Sequence, residues 1–373
     1  MVVLFNSPRH RYARLTSLLR KEGEGEKERY LVLASGVCKI SKNLSAICFV
    51  VIPLPGLMKI YHHINDFTPL ANAVVTIGTF DGVHIGHRKI IAHIKELAQR
   101  SNGETVILTF FPHPRMILHP EDESLKLINT INEKAELLEQ LGVDHLIITP
   151  FSRDFSNQTA EEYIRDILVN KIGTKTIVIG YDHRFGKDRQ GGLDDLLRLS
   201  PCYGFNVVEI PEQDINDVAI SSTRIREALL VNDIYIANEC LGYPFFITGK
   251  VIRGDQLGRE LGYPTANLLV EESYKLIPDD GIFAVRVKVN GQQYNGMAYI
   301  GHRPTVNGMS RNIEVNIFDF SEDIYNQQLR MEFLHFVRGD IKFASLDELV
   351  VQLGKDKEEV QALLIMNGPQ FNA

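Results

Sequence analysis

The sequence contains few cysteines, and no two of them are close together. Cys38, Cys48, Cys202 and Cys240 are separated by 10, 154 and 38 positions in a chain of 373 residues. This spacing offers no Cys-x-x-Cys pair of the kind that holds zinc, and four cysteines are too few to staple a fold of this length by disulfides. The cysteine content therefore favours a reducing, cytoplasmic location.

The sequence also lacks a hydrophobic run long enough to cross a membrane. Its most apolar stretch, from Leu44 to Leu57, is shorter than the ~20 residues that a spanning helix needs, and Pro53 and Pro55 interrupt it. A secretory signal would place its basic region next to an apolar core, whereas here a charged segment separates the two. The sequence therefore predicts no association with a membrane.

Most of the chain has no excess of basic residues. Residues 1–57 carry nine Lys or Arg and four Glu, which leaves 31 basic and 43 acidic side chains in residues 58–373. Because nucleic-acid phosphates bind clustered Lys and Arg, this acidic body argues against a nucleic-acid partner. Residues 1–57 also differ in pattern from the rest of the chain, and we interpret them as a dispensable extension or a mis-assigned start before Met58, with a functional arm as the alternative.

The chain does contain enough apolar sequence for two cores. Hydrophobic residues make up 44% and charged residues 23% of a chain longer than the roughly 250–300 residues at which a single core stops growing. From Val74 to about residue 215, short β-branched runs alternate with amphipathic segments, which predicts a doubly wound α/β domain. Its strands are expected at 74–77, 105–110, 145–149, 176–180 and 205–210.

Helices are expected between these strands. Residues 87–99 have the helical period, and capping boxes that begin at Thr130 and Thr159 predict the starts of two further helices. Gly142 suits the left-handed residue at which the first of these two would end.

The pattern changes after Pro244. Strand-like runs then follow one another without a long helix between them, which predicts a small antiparallel β-barrel. Asn290-Gly291 is a hairpin signal, and a capping box at Ser345 predicts a closing C-terminal helix. The runs are 245–252, 281–289, 292–300, 312–320 and 329–337. We therefore expect an α/β domain over residues 58–240 and a barrel domain over residues 241–373.

The first predicted strand leads into GTFDGVHIGHRKI, residues 78–90. Its three glycines, Gly78, Gly82 and Gly86, let the backbone approach a ligand, and the helix that begins there directs free N–H groups toward the same place. This arrangement predicts an anion site, where His84 and His87 could donate hydrogen bonds to phosphate oxygens. An isolated H-x-G-H can equally be an ordinary loop, but here strand, glycines, histidines and helix arrive in register.

This segment resembles the signature of the H-x-G-H nucleotidyltransferases, which move a nucleotidyl group from a triphosphate to a phosphate or carboxylate acceptor. TFFPHPR (109–115), GYDHRFGKDRQGG (180–192) and ISSTRIREAL (220–229) look like segments of the flavin-adenylylating branch. The resemblance implies an ATP site formed by Gly78, Phe80, Asp81, His84, His87, Ser221, Ser222, Thr223 and Arg226. It implies an FMN site formed by Pro112, His113, Pro114, Arg115, Asp182 and Phe185.

The segment 220–229 has its own physical interpretation. One of its three hydroxyl residues, from Ser221 to Thr223, can cap a helix, and taken alone they predict no more than that. With Arg226, the N-terminus of this helix would face phosphates across from the first helix. Arg226 is therefore a catalytic candidate beside His84 and His87.

In the second domain, GKVIRGDQLGRELGYPTANL (249–268) looks like the nucleotide and flavin loop of riboflavin kinases, and IEVNIFDF (313–320) like their glutamate-bearing strand. Glu314, which alone would be an ordinary strand residue, is thereby the candidate base for the riboflavin hydroxyl. The resemblance implies an ATP site with Gly249, Lys250, Gly254, Gly258, Thr265 and Asn267, and a flavin site with Glu314 and Arg338. Thr265 and Asn267 are the candidate Mg²⁺ ligands.

Together these segments cover about residues 58–364 and resemble the bacterial bifunctional riboflavin kinase and FAD synthetase family. The resemblance implies phosphorylation of riboflavin to FMN and adenylylation of FMN to FAD, with ATP as co-substrate and Mg²⁺ as cofactor. It implies no prosthetic group and no obligatory protein partner. Asn316 and Asp340 depart from the family pattern, in which His and Glu are common at these positions.

Two alternatives stay open at this point. The α/β domain could be a nucleotidyltransferase for another phosphate acceptor, such as a nicotinamide or pantetheine phosphate, although the PTAN segment at 264–267 argues against this. The protein could also bind flavin without turnover, although intact His84, His87, Thr265 and Glu314 argue against that.

Overall fold

The computed structural model describes residues 30–41, 44–53, 57–122, 124–181, 183–211, 220–254, 257–305 and 308–366. The chain divides into two compact units, Met1–Lys59 and Ile60–Ala373. In the first unit, strands β1 (Tyr30–Ser41) and β2 (Leu44–Pro53) pair antiparallel. The sequence patterns do not predict this strand pair. Among the described residues, no helix is both long and apolar enough to span a bilayer.

A six-stranded sheet forms the centre of the α/β domain. Its strand order is β3-β6-β5-β4-β7-β8. The neighbouring pairs β6–β5, β5–β4, β4–β7 and β7–β8 are parallel. The strands are β3 (Lys59–Tyr61), β4 (Ala73–Ile77), β5 (Glu104–Phe110), β6 (His145–Thr149), β7 (Thr174–Gly180) and β8 (Asn206–Ile210). The last five confirm the predicted strands, whose β-branched runs suit strands covered on both faces.

The strand order reverses at β4, so right-handed crossovers place helices on both faces of the sheet. The helices are α1 (Ile85–Ser101), α2 (Pro114–Leu118), α3 (Ile131–Gln140), α4 (Arg153–Ser156), α5 (Ala160–Glu162), α6 (Leu193–Tyr203), α7 (Ser222–Leu230) and α8 (Ile234–Leu241). Both predicted capping boxes, at Thr130 and Thr159, are present. Gly142 follows α3 with a φ of +75°.

The helix that begins at Thr159 contains a feature that the sequence does not predict. After α5 it continues as a π-helical segment, Tyr163–Ile172, which ends at the left-handed Gly173. A capping box specifies where a helix starts but not its hydrogen-bond spacing, so the wider π turns could not be expected from it.

The second domain is a closed barrel with the strand order β10-β13-β12-β11-β14-β9. The strands are β9 (Phe246–Ile252), β10 (Ala266–Leu269), β11 (Gly281–Val289), β12 (Gln292–Thr305), β13 (Gly308–Ile317) and β14 (Gln328–Arg338). β10 closes the barrel by pairing with both β9 and β13. This four-residue strand is too short to show an alternating pattern, and the sequence does not predict it. β13 also ends before the predicted 320, because Asp319 turns the backbone with a φ of +54°.

Two further helices belong to the barrel domain, α9 (Leu257–Glu260) and α10 (Leu346–Met366). α10 confirms the predicted closing helix. The Ser345 hydroxyl accepts the Glu348 N–H at 3.2 Å, while the Glu348 carboxylate accepts the Ala344 N–H at 3.0 Å, so the return bond is shifted by one residue from the predicted capping box.

The barrel core extends into the helices that precede it. Ile225 and Leu229 of α7 and Leu241 of α8 belong to the same buried cluster as Phe245 and Val285 of the barrel. A parallel β-bridge between Leu127 and Lys275 adds a backbone connection between the two domains. Residues of both domains therefore contribute to one continuous core.

Candidate active sites

His84 and His87 stand at the N-terminus of α1 with their rings stacked, 3.7 Å between centroids and 19° between planes. Burial lowers the pKa of His84 to about 4, an effect that Asp81 opposes and Arg226 reinforces. Burial, then the neighbouring His84 and Lys134, hold the pKa of His87 well below its usual range. Both imidazoles are therefore neutral at pH 7, and each offers one N–H donor and one acceptor nitrogen.

A buried carboxylate, Asp81, forms an ion pair with the partly buried Arg226 next to these histidines. Arg226 Nη2 lies 3.0 Å from Asp81 Oδ2, and the Asp81 side chain is only 2% exposed. Asp81 Oδ1 accepts the backbone N–H groups of Ile128 at 2.9 Å and Asn129 at 3.4 Å. Asp81 and Arg226, which the sequence predicts to contact ATP, thus also hold each other and anchor the loop.

A cavity of about 730 Å³ opens beside the histidine pair, within the size range of small-molecule sites. Eight predicted site residues line it: Gly78, Phe80, His84, His87, Pro114, Phe185, Ser221 and Ser222. Six others lie outside its lining: Asp81, Pro112, His113, Arg115, Thr223 and Arg226. Asp182 lies outside the described residues.

The cavity wall contains aromatic side chains that the sequence does not single out. Those are Phe110, Phe151, Phe155, Tyr163 and Tyr181. Flat aromatic rings in a cavity of this size suit a planar ring system such as a flavin or an adenine. Phe110 and Tyr181 lie within the segments 109–115 and 180–192, whereas Phe151, Phe155 and Tyr163 resemble ordinary core residues in the sequence and no local signal marks them.

His113 caps α2 close to the same loop. Its Nδ1 accepts the Arg115 N–H at 3.2 Å, and burial lowers its pKa to about 4 against the opposing effect of Asp81. The Arg115 guanidinium pairs with Asp122 at 2.6 Å. The structure thus brings the FFPHP segment near the histidine pair, with the Arg115 side chain directed to Asp122.

In the barrel, Glu314 is a buried residue of β13, 5% exposed, and its register partner is Asn267 of β10. The Thr265 hydroxyl donates to Glu314 Oε2 at 3.0 Å. The PTAN segment and the candidate base are therefore in direct contact. Asn316, one of the two departures from the family pattern, donates its Nδ2 to Pro264 O at 2.6 Å and so also holds this segment.

The glycines of the 249–258 segment allow close packing around this contact. A Cβ on Gly254 would overlap the amide group of Asn267, and one on Gly258 would overlap the Tyr263 carbonyl. Gly249 and Lys250 belong to β9, where Lys250 is the register partner of Leu269 in β10. The six residues predicted for the kinase ATP site thus lie on β9, on β10 or in the segment between these two neighbouring strands.

Arg338, which the sequence predicts to contact flavin, pairs with an acidic side chain of the C-terminal helix. Its guanidinium forms a two-pronged pair with Asp356 of α10, at 2.9 Å from Nε and 2.6 Å from Nη2. Asp340, the second departure, accepts the Tyr299 hydroxyl at 3.4 Å. Arg338 therefore fastens α10 to the end of β14.

Comparison with known proteins identifies the family of both domains. A family model described as FAD synthetase matches residues 67–224, and a model described as riboflavin kinase matches residues 241–364. The bifunctional riboflavin kinase/FMN adenylyltransferase of Haemophilus influenzae is 39% identical over 294 residues, 79% of this chain and 94% of that protein. This chain belongs to the bifunctional riboflavin kinase/FMN adenylyltransferase family.

Further relatives support this family membership. The bifunctional riboflavin kinase/FMN adenylyltransferase of Escherichia coli K12 is 35% identical over 303 residues, 80% of this chain and 96% of that protein. The crystal structure of a macrolide-efflux protein from Streptococcus pneumoniae has the same fold, with a TM-score of 0.73 and 33% identity over 82% of this chain and 99% of that one.

As a member of this family, the chain is an enzyme with two transferase activities. It phosphorylates riboflavin to FMN, and it adenylylates FMN to FAD. The two alternatives that the sequence leaves open, a different phosphate acceptor and flavin binding without turnover, are therefore set aside. The N-terminal parallel-sheet domain and the closed barrel also confirm the predicted fold class.

Proposed function

We propose that the two reactions take place in separate sites, phosphorylation at Glu314 in the barrel and adenylylation at His84 and His87 in the α/β domain. The observation that carries this proposal is the way the motifs assemble. The kinase motifs come together at the 3.0 Å hydrogen bond from Thr265 to Glu314. The two histidines stack against each other in the wall of the aromatic cavity.

In the barrel, Glu314 acts as the general base. The riboflavin 5′-hydroxyl oxygen forms a bond to the γ-phosphorus of ATP, the bond to the ADP oxygen breaks, and the carboxylate accepts the hydroxyl proton. The bond from Thr265 fixes one carboxylate oxygen of a side chain that is 5% exposed, which supports an oriented base. Orientation matters because a base must reach the proton that it accepts.

The residues near Glu314 also fit Mg²⁺. Thr265 and Asn267 offer a hydroxyl and an amide oxygen two residues apart, and Mg²⁺ prefers oxygen ligands, usually few from the protein and the rest from phosphate and water. The overlap that a Cβ on Gly254 would cause shows how tightly the loop encloses Asn267. Thr265 and Asn267 would hold the ion, which neutralises charge on the transferred phosphate when it is bound.

In the α/β domain, an FMN phosphate oxygen attacks the α-phosphorus of ATP, and pyrophosphate leaves. The nucleophile is already an anion, so this step needs no general base, and catalysis consists of positioning and charge stabilisation. Neutral His84 and His87 serve as hydrogen-bond donors to the phosphates, beside the free N–H groups that open α1. Phe110, Phe151 and Phe155 suit the planar rings of the substrates.

We also propose that riboflavin, FMN and ATP are the physiological ligands and that the enzyme works in the cytoplasm. Cys202 and Cys240 are free thiols, which supports a reducing compartment.

Two variants of the full chain test the separation of the sites. Glu314→Gln keeps size and hydrogen bonding, and we expect riboflavin phosphorylation to fall about 10²–10⁴-fold while added FMN still becomes FAD. His84→Ala should reduce FAD formation about 100-fold or more and leave FMN formation intact. Chromatographic separation of the flavins measures both rates in one reaction.

Matched changes at exposed positions, Glu358→Gln and His62→Ala, serve as controls that should alter neither rate. A Glu314→Gln enzyme with a near-normal kinase rate would make Glu314 a structural residue, and Asp340 the next carboxylate to test. Equal loss of both activities in either variant would contradict separate sites.

A further inference from the structure

The loop between β4 and α1 has a strained backbone. Phe80 and Val83 have φ values of +46° and +37°, in the left-handed region that residues with a Cβ seldom adopt, and Gly82 between them has +86°. Phe80 and Val83 are both buried, and the loop leads directly into His84. A backbone of this kind persists only where the surrounding structure over-determines it.

Hydrogen bonds to the loop carbonyls provide that restraint. Each carbonyl from Thr79 to Gly82 accepts a bond, and all but one of the donors lie outside the loop. The bonds are Lys134 Nζ (2.7 Å) and Thr109 Oγ1 (3.3 Å) to Thr79 O, Val83 N to Phe80 O (3.3 Å), Ser222 Oγ to Asp81 O (2.9 Å) and Tyr243 Oη to Gly82 O (2.5 Å). One of these donors, Tyr243, belongs to the stretch that matches the riboflavin kinase model.

Lys275, in the same stretch, supports the loop by a second route. Its Nζ donates to Ile128 O at 2.6 Å, and the N–H of Ile128 donates to Asp81 Oδ1 at 2.9 Å. Asp81 Oδ2 in turn accepts from Arg226 at 3.0 Å. Lys275 itself is held by Glu133 of α3 at 2.6 Å, and its side chain is fully buried. The kinase domain thus reaches the loop both at a carbonyl and through the Asp81 carboxylate.

We propose that the kinase domain completes the adenylyltransferase site, with Tyr243 and Lys275 as positioning residues that hold the loop before His84 in its reactive conformation. The proposal rests on the roles assigned above to His84 and His87. Thr265 and Glu314 take no part in these bonds, so the dependence runs in one direction. FAD formation needs the contacts from Tyr243 and Lys275, and riboflavin phosphorylation does not.

Tyr243→Phe in the full chain is the test, because it removes one hydroxyl and keeps the ring that packs near Phe246. We expect kcat for FAD formation from added FMN to fall about 3- to 10-fold, the scale of one neutral hydrogen bond. The KM values for FMN and ATP should change little, because the strained loop positions groups that act on the transition state. Riboflavin phosphorylation by the same sample should be unchanged.

Tyr294→Phe is the matched control, since the Tyr294 hydroxyl donates to Gln292 at 2.5 Å within the barrel hairpin. It should alter neither activity. The proposal is overturned if Tyr243→Phe leaves FAD formation unchanged, lowers both activities in equal proportion, or raises a KM without lowering kcat.

His84→Ala, assayed alongside, distinguishes an error in the proposed adenylylation site from an error in the positioning role of Tyr243. If His84→Ala retains FAD formation, the proposed site itself is wrong; if it loses FAD formation while Tyr243→Phe does not, only the positioning role is wrong.

Discussion

Breaking the buried ion pair between Lys275 and Glu133 should strongly destabilise this enzyme, and Lys275→Met tests this. An ammonium group has three N–H donors, and the structure gives each one a partner: Glu133 Oε2 at 2.6 Å, Ile128 O at 2.6 Å and Phe246 O at 2.9 Å. The side chains of Lys275 and Glu133 are 0% and 2% exposed. Met at position 275 would fill similar space but leave a buried carboxylate without its counter-ion.

The size of the effect follows from this burial. Removing one partner of a buried pair costs about 3–5 kcal/mol, because the remaining charge is uncompensated. With a urea m-value of about 1–3 kcal/mol/M, the unfolding midpoint should fall by about 1–5 M. Lys288→Met is the matched control: Lys288 pairs with Glu332 at 2.6 Å, but its side chain is 45% exposed and Arg286 and Arg330 lie near the same carboxylate. Its cost should stay below about 1 kcal/mol.

Urea unfolding followed by far-ultraviolet circular dichroism suits a chain that has no tryptophan. The double variant Lys275→Met with Glu133→Gln should regain at least about 1 kcal/mol over Lys275→Met alone, because Gln removes the stranded charge and can still serve the capping box. If Lys275→Met costs no more than Lys288→Met, or the double variant is no more stable than the single one, then the pair is not the desolvated contact described here.

Three further predictions concern other parts of the chain. A protein that starts at Met58 should keep both activities in the flavin chromatography assay, and an inactive or insoluble product would contradict a dispensable extension. Tyr163→Phe should raise the free energy of unfolding by about 1 kcal/mol, because the buried Tyr163 hydroxyl has no hydrogen-bond partner among the described residues; a lower stability would mean that it has one. With pKa values of about 4 for His84 and His113 in the folded protein against 6.5 for an ordinary histidine, the unfolded state binds more protons between these limits. The free energy of unfolding should therefore fall as the pH drops from 6.5 to 4, and a rise over this range in urea titrations would refute the burial of these rings.

Local features of the fold could be predicted because neighbouring residues determine them. Five parallel strands follow from β-branched runs, and the capping boxes at Thr130 and Thr159 mark helix starts because each box forms within four residues. The Asn290-Gly291 turn has the expected positive φ at both positions, +52° and +72°. β10 and the π-helical segment escaped prediction, because the first is too short to show a period and the second keeps the apolar spacing of an ordinary helix.

In the functional sites too, some features follow from neighbouring residues and others only from the packing of distant elements. The sequence by itself indicates which segments are candidates for the chemistry, since residues such as His84 and His87 are three positions apart at the start of one helix and lie side by side wherever that helix is placed. The tertiary structure alone decided their partners: Arg226 pairs with Asp81 at 3.0 Å, Thr265 reaches Glu314 at 3.0 Å, and Tyr243 reaches Gly82 at 2.5 Å. A hydrogen bond requires its atoms to lie within a few tenths of an ångström of about 2.9 Å. That precision arises only when elements distant in the chain pack together, and a pattern of neighbouring residues does not contain it.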